Sequence, residues 1–160
     1  MRKITNPFLN IDGYNCFGCC KENPAGLDMD FFEDGEDVVC FWKPDSHLQG
    51  WHNTLHGGIQ ATLLDETAAW VVFRKLQTIG VTTKIEVAYR KPVLTTDTQL
   101  TLRGHITGQK RNIVDIELTL ENSHGVVCTT AHAVYFVYSK EKSAEMGFKG
   151  CSVENEELLF

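Results

Sequence analysis

A histidine followed by two glycines at the start of a long helical pattern constrains this fold more than any other feature. The run His56-Gly57-Gly58 leads into a segment, from Gly57 to about Lys75, that favours a long helix. Glycines lack side chains, so a ligand can approach the N–H groups of the first turn, which have no partner within the helix. The helix dipole adds partial positive charge there. This pattern indicates a site for a carbonyl oxygen that gains negative charge.

Asp65 lies about two turns inside this helix, on a face of small residues. Its neighbours at three and four positions on either side are Ala61, Thr62, Ala68 and Ala69. Such a face can pack closely against another backbone, where burying a carboxylate is costly. Asp65 is therefore either a functional carboxylate or a solvated surface residue, and the glycine pair ahead of it favours the functional interpretation.

Length and composition predict a single domain over residues 1–160, with a polar, loosely packed tail at 139–160. The formal net charge of −6 argues against a nucleic-acid partner. No apolar run approaches the ~20 residues of a membrane span, and the first residues lack the apolar stretch of a signal peptide. We therefore expect a cytoplasmic protein that keeps its six cysteines as thiols.

Strand-like runs of alternating apolar residues flank the helix on both sides. Residues 1–13 are expected to form a short helix or an arm. The predicted strands cover residues 27–32, 37–42, 82–89, 99–107, 113–120 and 126–138. One long helix among several consecutive strands predicts the α+β class, with an antiparallel sheet that curls around the helix.

The helix motif resembles that of the hotdog-fold acyl-CoA thioesterases of the phenylacetyl-CoA thioesterase (PaaI-like) type, in which an acid follows the histidine by nine residues. Two further segments are similar to that family. One is Cys16-Phe17-Gly18-Cys19 with the following Asn-Pro-Ala-Gly-Leu, although Cys20 stands where a glycine is usual. The other is the strand that runs from Thr82 to Val93. The resemblance covers residues 14–138 and implies a hotdog fold, an antiparallel β-sheet wrapped around one long central α-helix.

The resemblance also implies an activity, the hydrolysis of an acyl-CoA thioester to a carboxylic acid and coenzyme A. The Gly57 N–H is expected to polarise the carbonyl group, with support from Gly58. Asp65 is expected to act as a base for water or to attack the carbonyl directly, and the sequence leaves both routes open. Coenzyme A is then part of the substrate and product, and no other cofactor and no metal is predicted.

Helix geometry predicts that the two groups come from different subunits. Gly57 and Asp65 are eight residues apart, about 12 Å along the helix axis, so they cannot both contact one thioester carbon. Two antiparallel helices across a two-fold axis would bring them together. The hypothesis therefore requires a homodimer, alone or as a dimer of dimers.

Several other residues are candidates for the site. His56 matches the motif histidine of the family and would either bond the acyl carbonyl or pack at the start of the helix. Some relatives carry an asparagine where this chain has Gly50, so that role does not transfer to position 50, and Asn53 is a candidate to substitute for it. Thr82 falls where some relatives have a serine near the carboxylate, and Thr83 is adjacent to it.

The phosphates of coenzyme A require basic partners, and the pair Arg90-Lys91 is the candidate for that role. Solvated surface charge is the alternative for both residues. The acyl group itself cannot be identified from the sequence.

The cysteines at positions 16, 19 and 20 allow three interpretations. A Cys-x-x-Cys pair is half of many zinc sites, and it also occurs in redox centres. The second half of a zinc site is missing, because no other Cys-x-x-Cys follows in the chain. A tight turn before the first strand is therefore favoured over zinc and redox chemistry.

Two other functions stay open beside thioester hydrolysis. One is a non-catalytic hotdog protein that binds acyl-CoA, although such a protein has no need of a carboxylate at Asp65. The other is a hotdog hydratase or dehydratase, although those enzymes resemble this chain less in the His-Gly-Gly region.

Overall fold

The computed structural model describes residues 1–156, in which a seven-stranded antiparallel sheet surrounds one long helix. The strands lie in the order β1-β2-β3-β5-β6-β7-β4. Their bounds are β1 Arg2–Lys3, β2 Phe31–Asp34, β3 Asp37–Trp42, β4 Gly80–Tyr89, β5 Leu100–Lys110, β6 Ile113–Glu121 and β7 Val127–Val137. The helices are α1 Gly57–Val71 and α2 Lys140–Glu145, with a short 3₁₀ turn at Ser46–Leu48.

The core lies between α1 and the concave side of the sheet. Alternate residues of β6 are buried there, namely Val114, Ile116, Leu118 and Leu120. They meet the buried face of α1, which includes Leu63, Leu64, Ala68 and Val71. The helix contacts every strand from β3 to β7. The prediction of an α+β fold with an antiparallel sheet around one helix is confirmed.

The end of the long helix differs from the prediction. Regular α-helix stops at Val71, and one wider turn continues to Leu76. Gln77, directly after this turn, takes the left-handed conformation with φ of 53°. The side-chain amide of Gln77 stabilises this unfavourable conformation, because it donates to the backbone oxygens of Arg74 and Cys151 at 2.8 and 2.9 Å.

The first predicted strand begins later than expected. Residues 27–30 are not a strand, because Leu27 and Met29 donate their N–H groups to Phe17 and Gly18 of the cysteine turn. Strand β2 therefore starts at Phe31. The amino-terminal arm contributes a strand of its own, β1, which pairs with β2.

The expectation of a loosely packed tail after residue 138 is wrong for its described part. Helix α2 lies there, and Phe148, Cys151 and Val153 are all buried in the core. Apolar residues scattered among charged ones give no periodic pattern, so the sequence did not show this packing. Within residues 1–156, no helix is long and apolar enough to cross a membrane.

A cluster of salt bridges connects β2 with the end of the helical segment. Glu33 accepts hydrogen bonds from Arg74 Nε at 2.9 Å and from Lys75 Nζ at 2.8 Å. Burial opposes the ionisation of Glu33, but these two cations outweigh it and lower its pKa to about 2. Ionised Glu33 therefore stabilises the fold above the ordinary pKa of a glutamate, and this stabilisation is lost as the pH falls toward about 2.

Glu33→Gln is expected to lower the free energy of unfolding by about 2 kcal/mol near neutral pH. The difference in unfolding free energy between wild type and variant is expected to be smaller at about pH 3, where wild-type Glu33 begins to lose its stabilising charge. Urea unfolding of both proteins at several pH values measures this. Glu145→Gln is the matched control, because its partner Lys142 and Glu145 itself are exposed to solvent. A difference that stays constant between neutral and acid pH would contradict the role of Glu33 ionisation.

Candidate active site

The first turn of α1 leaves N–H groups without an acceptor in the described chain, and that of Gly57 is one of them. His56 is the N-cap residue, and its ring Nδ1 accepts a hydrogen bond from Gly58 N at 2.9 Å. The Gly58 N–H is thus occupied within the chain. The Gly57 N–H, in contrast, has no acceptor among residues 1–156. Because Nδ1 accepts, the neutral His56 ring carries its proton on Nε2 and can donate there.

Tyr89, at the end of β4, covers the first turn of α1. Its hydroxyl donates to Gly57 O at 2.7 Å. A Cβ atom built on Gly57 would lie 3.3 Å from the ring of Tyr89, so the absence of a side chain leaves room for this contact. Arg90 and Lys91 follow directly and are exposed, and Arg90 Nε donates to Thr130 at 3.2 Å. The predicted basic pair therefore adjoins the residue that contacts Gly57.

Asp65 is half-buried and is held through one of its two carboxylate oxygens. Oδ1 accepts from the Thr82 hydroxyl at 2.7 Å and from the Tyr135 hydroxyl at 3.2 Å. The other oxygen, Oδ2, has no donor among the described residues, and Asp65 has no cationic partner there. The carboxylate is thus fixed in orientation while one oxygen stays available for chemistry.

Tyr135 is a member of this site that the sequence did not reveal. Burial, and then the charge of Asp65, raise its pKa well above the ordinary value, so it is a neutral donor. It also donates to the backbone oxygen of Asp65 at 3.1 Å. A tyrosine on the helix-facing side of an otherwise apolar strand needs a hydrogen-bond partner, and that is the signal that could have found it.

The two threonines of β4 do different things. The pairing of β4 with β7 shifts register between Thr82 and Lys84, which is a β-bulge. Thr82 directs its hydroxyl at Asp65, whereas the Thr83 hydroxyl donates to Val134 O on β7 at 2.9 Å. The structure therefore brings Thr82, but not Thr83, to the carboxylate.

Asn53 lies apart from both groups. It has a φ of 54° and is exposed, in the loop before α1. Its N–H donates to Gln49 Oε1 at 3.2 Å and its backbone oxygen accepts from Thr95 at 2.9 Å. These bonds shape the loop, and they do not connect Asn53 with Gly57 or Asp65.

One chain holds two half-sites on α1, one at the first residue of the helix and one near its middle. His56, Gly57 and Tyr89 form the first, while Asp65, Thr82 and Tyr135 form the second. The helix rise separates them by about 12 Å. A single chain therefore does not bring the free N–H of Gly57 to the free oxygen of Asp65.

The cysteine segment forms a tight turn against the other side of α1. Cys20 N donates to Cys16 O at 3.1 Å, which closes the turn. Cys16 is half-buried, and a hydrogen bond with Cys19 lowers its pKa to about 7. Glu66, the neighbour of Asp65, lies here and accepts from Trp70 Nε1 at 3.0 Å.

The seven-stranded antiparallel sheet around one long helix is the hotdog fold. Residues 52–129, just under half of the chain, match the model described as the Thioesterase superfamily. The acyl-coenzyme A thioesterase THEM4 of Rattus norvegicus is 36% identical over 56 residues, which are 35% of this chain and 24% of that protein. The chain spans only 24 to 36% of the length of the curated relatives that it matches.

Solved structures agree with this assignment. A hypothetical thioesterase of Streptococcus pneumoniae, solved with coenzyme A, is 25% identical over 69% of this chain and 86% of its own, with a TM-score of 0.64. The E. coli PaaI protein from the phenylacetic acid degradation operon shares the fold, with 16% identity, 71% and 81% of the chains covered and a TM-score of 0.65. The hotdog fold that the resemblance implied is thereby confirmed.

Proposed function

We propose that this protein hydrolyses acyl-CoA thioesters to a carboxylic acid and coenzyme A. The observation that carries the proposal is the state of Asp65. Two hydroxyl groups fix its Oδ1, its Oδ2 is free, and no cation in residues 1–156 neutralises it. A half-buried carboxylate with one unused oxygen suits a general base or a nucleophile. The similarity to an acyl-coenzyme A thioesterase supports the same reaction.

In the proposed reaction, the carbonyl oxygen of the thioester accepts a hydrogen bond from the Gly57 N–H at the positive end of α1. His56 is placed to add a second donor through Nε2. Asp65 removes a proton from water, which attacks the carbonyl carbon, or attacks that carbon itself and forms an anhydride that water then opens. In either route the C–S bond breaks, and the thiolate of coenzyme A leaves and takes up a proton.

The proposed active form is a homodimer. Strand β4 is ten residues long and pairs only with β7, so its other edge has no partner in the described chain. Val81 and Tyr89 on this strand are large apolar residues, 47% and 53% exposed. Long edge strands of this kind are usually covered. Pairing of β4 with its copy across a two-fold axis would cover the edge and set the two α1 helices antiparallel.

Coenzyme A is the proposed carrier of the acyl group. The Streptococcus pneumoniae relative was solved with coenzyme A. In this chain the exposed Arg90 and Lys91 follow Tyr89 and supply positive charge for phosphates beside the Gly57 half-site. All six cysteines are free thiols, which supports a proposed location in the reducing cytoplasm.

Release of free thiol from a panel of acyl-CoAs tests the proposal. The panel contains short aliphatic, long aliphatic and aromatic acyl groups, and isothermal titration measures binding in parallel. We expect catalytic thiol release from at least one class. Tight binding of acyl-CoA without any release would instead show the non-catalytic binding protein, and hydration of an enoyl-CoA would show the hydratase.

Thr82→Val is expected to lower kcat by about 10- to 100-fold, because a hydrogen bond to a charged group contributes about 1.5–3 kcal/mol. Valine keeps the shape of threonine and removes only the hydroxyl that holds Asp65 Oδ1 at 2.7 Å. The comparison variant is Thr83→Val, whose hydroxyl bonds to Val134 O instead. Steady-state kinetics of both variants measure the effect, and a larger loss in the Thr83 variant would refute this assignment.

A further inference from the structure

The cysteine turn and the helix bring three ligand atoms together outside the proposed active site. The Sγ atoms of Cys16 and Cys19 and a carboxylate oxygen of Glu66 all lie within 4.8 Å of one another. Cys16 Sγ is 3.6 Å from each of the two carboxylate oxygens of Glu66. A tetrahedral zinc, with bonds of about 2.3 Å to sulfur and about 2.1 Å to oxygen, places its ligand atoms about 3.5–3.8 Å apart. The spacing in this cluster therefore suits one zinc ion.

The surroundings of Glu66 lack a positive charge. Its carboxylate is half-buried, and no lysine, arginine or histidine forms an ion pair with it within residues 1–156. Its only described partners are the Cys16 thiol and the Trp70 indole N–H. Buried charges in proteins are generally paired or bound to metal. The charge of Glu66 is accounted for if a cation sits between it and the two sulfur atoms.

Neighbouring groups orient the three ligands before any metal binds. Trp70 Nε1 donates to Glu66 Oε1 at 3.0 Å, and the hydroxyl of Tyr14 is 2.9 Å from Cys19 Sγ. Such bonds to ligand atoms are typical of the surroundings of metal sites. A Cβ atom on Gly18 would lie only 2.5 Å from Glu66 Cδ, so a side chain at this position would displace the Glu66 carboxylate from the place that it holds beside the turn.

We propose that Cys16, Cys19 and Glu66 bind one zinc ion, which clamps the amino-terminal turn onto helix α1. In place of a second Cys-x-x-Cys pair, helix α1 supplies one carboxylate ligand. Two thiolates select zinc over magnesium and calcium, and a carboxylate completes three protein ligands, with a fourth position open to solvent beside the half-buried Cys16. Each thiol gives its proton to the buffer on binding. This inference is independent of thioester hydrolysis.

The first test measures metal in the reduced, full-length protein. Bound metal is removed with a chelator, and the protein is incubated with zinc and separated from free zinc by gel filtration. Inductively coupled plasma mass spectrometry then measures the zinc content. We expect about one zinc per chain. Cobalt in place of zinc is expected to give the near-ultraviolet absorption of thiolate-to-cobalt charge transfer. Absence of zinc, absence of this band, or recovery of a Cys16–Cys19 disulfide from protein prepared under reducing conditions would each overturn the proposal.

Variants assign the ligands. Cys16→Ser, Cys19→Ser and Glu66→Gln are each expected to weaken zinc binding by at least about 100-fold, in competition with a coloured chelator. Cys20→Ser is the matched control, because Cys20 lies in the same turn but its Sγ contacts Tyr14 O, not the cluster. It should bind zinc like the wild type. Circular dichroism confirms folding of each variant, and equal loss in the Cys20 variant would overturn the assignment.

Discussion

Asp65→Asn is expected to lower the kcat for thiol release by about 100- to 10,000-fold, the range that a positioned general base contributes. Asparagine has the size of aspartate, and its amide oxygen can still accept the hydrogen bonds from Thr82 and Tyr135. The amide nitrogen then stands where Oδ2 was. The amide nitrogen neither takes a proton from water nor attacks a carbonyl carbon, so the general-base route and the nucleophilic route both fail. The contacts with Thr82 and Tyr135 are kept.

Steady-state release of thiol, with the best acyl-CoA of the panel, measures this effect. Titration with coenzyme A and thermal unfolding are the controls, and both should match the wild type. If both controls hold and kcat falls less than about 10-fold, Asp65 is not the reacting carboxylate.

The His56 and Gly57 part of the first half-site could be predicted because it is local in sequence, whereas Tyr89, 32 positions from Gly57, was not predicted. The start of a helix is encoded by the residues that form it. His56 and the two glycines therefore predict the free N–H without knowledge of the rest of the fold. The distance from Gly57 to Asp65 follows from helix rise alone. The strands β5 to β7 could also be predicted, because their alternating burial is visible in the sequence.

The half-site at Asp65 depends on distant parts of the chain. Tyr135 is 70 positions from Asp65, and only the register of β4, β7 and α1 brings its hydroxyl to the carboxylate. The bulge after Thr82 decides which of two neighbouring threonines faces the helix. Bulges and register come from the whole sheet, and no local pattern encodes them. Glu66 and Cys16, which are 50 positions apart, meet for the same reason.

Gly57→Pro is expected to lower kcat by about 100- to 1,000-fold, the loss that follows removal of one donor to a developing oxyanion. Gly57 is the first residue of α1, where proline is well tolerated because that N–H has no partner in the helix. His56 has φ of −56° and ψ of 133°, a conformation that suits a residue before proline. The substitution thus removes the N–H and leaves the helix start in place.

Gly57→Ala is the matched control, because alanine adds the same Cβ beside Tyr89 and keeps the N–H. That Cβ would lie 3.3 Å from the Tyr89 ring, which is 53% exposed and free to move slightly. The ratio of kcat between the two variants therefore reports the N–H alone. Equal activity of the proline and alanine variants would show that the Gly57 N–H does not polarise the carbonyl.

Mixing the two inactive chains then tests whether a site is shared between subunits. If each site combines Gly57 of one chain with Asp65 of the other, a mixed dimer of Gly57→Pro and Asp65→Asn chains has one intact site and one with both defects. Random 1:1 assembly makes half of the dimers mixed, so about a quarter of all sites recover wild-type activity. Both parent proteins stay inactive. No recovery from a mixture shown to exchange subunits would contradict the shared site. It would mean that Gly57 and Asp65 do not act together on one thioester, because about 12 Å of helix separates them within a single chain.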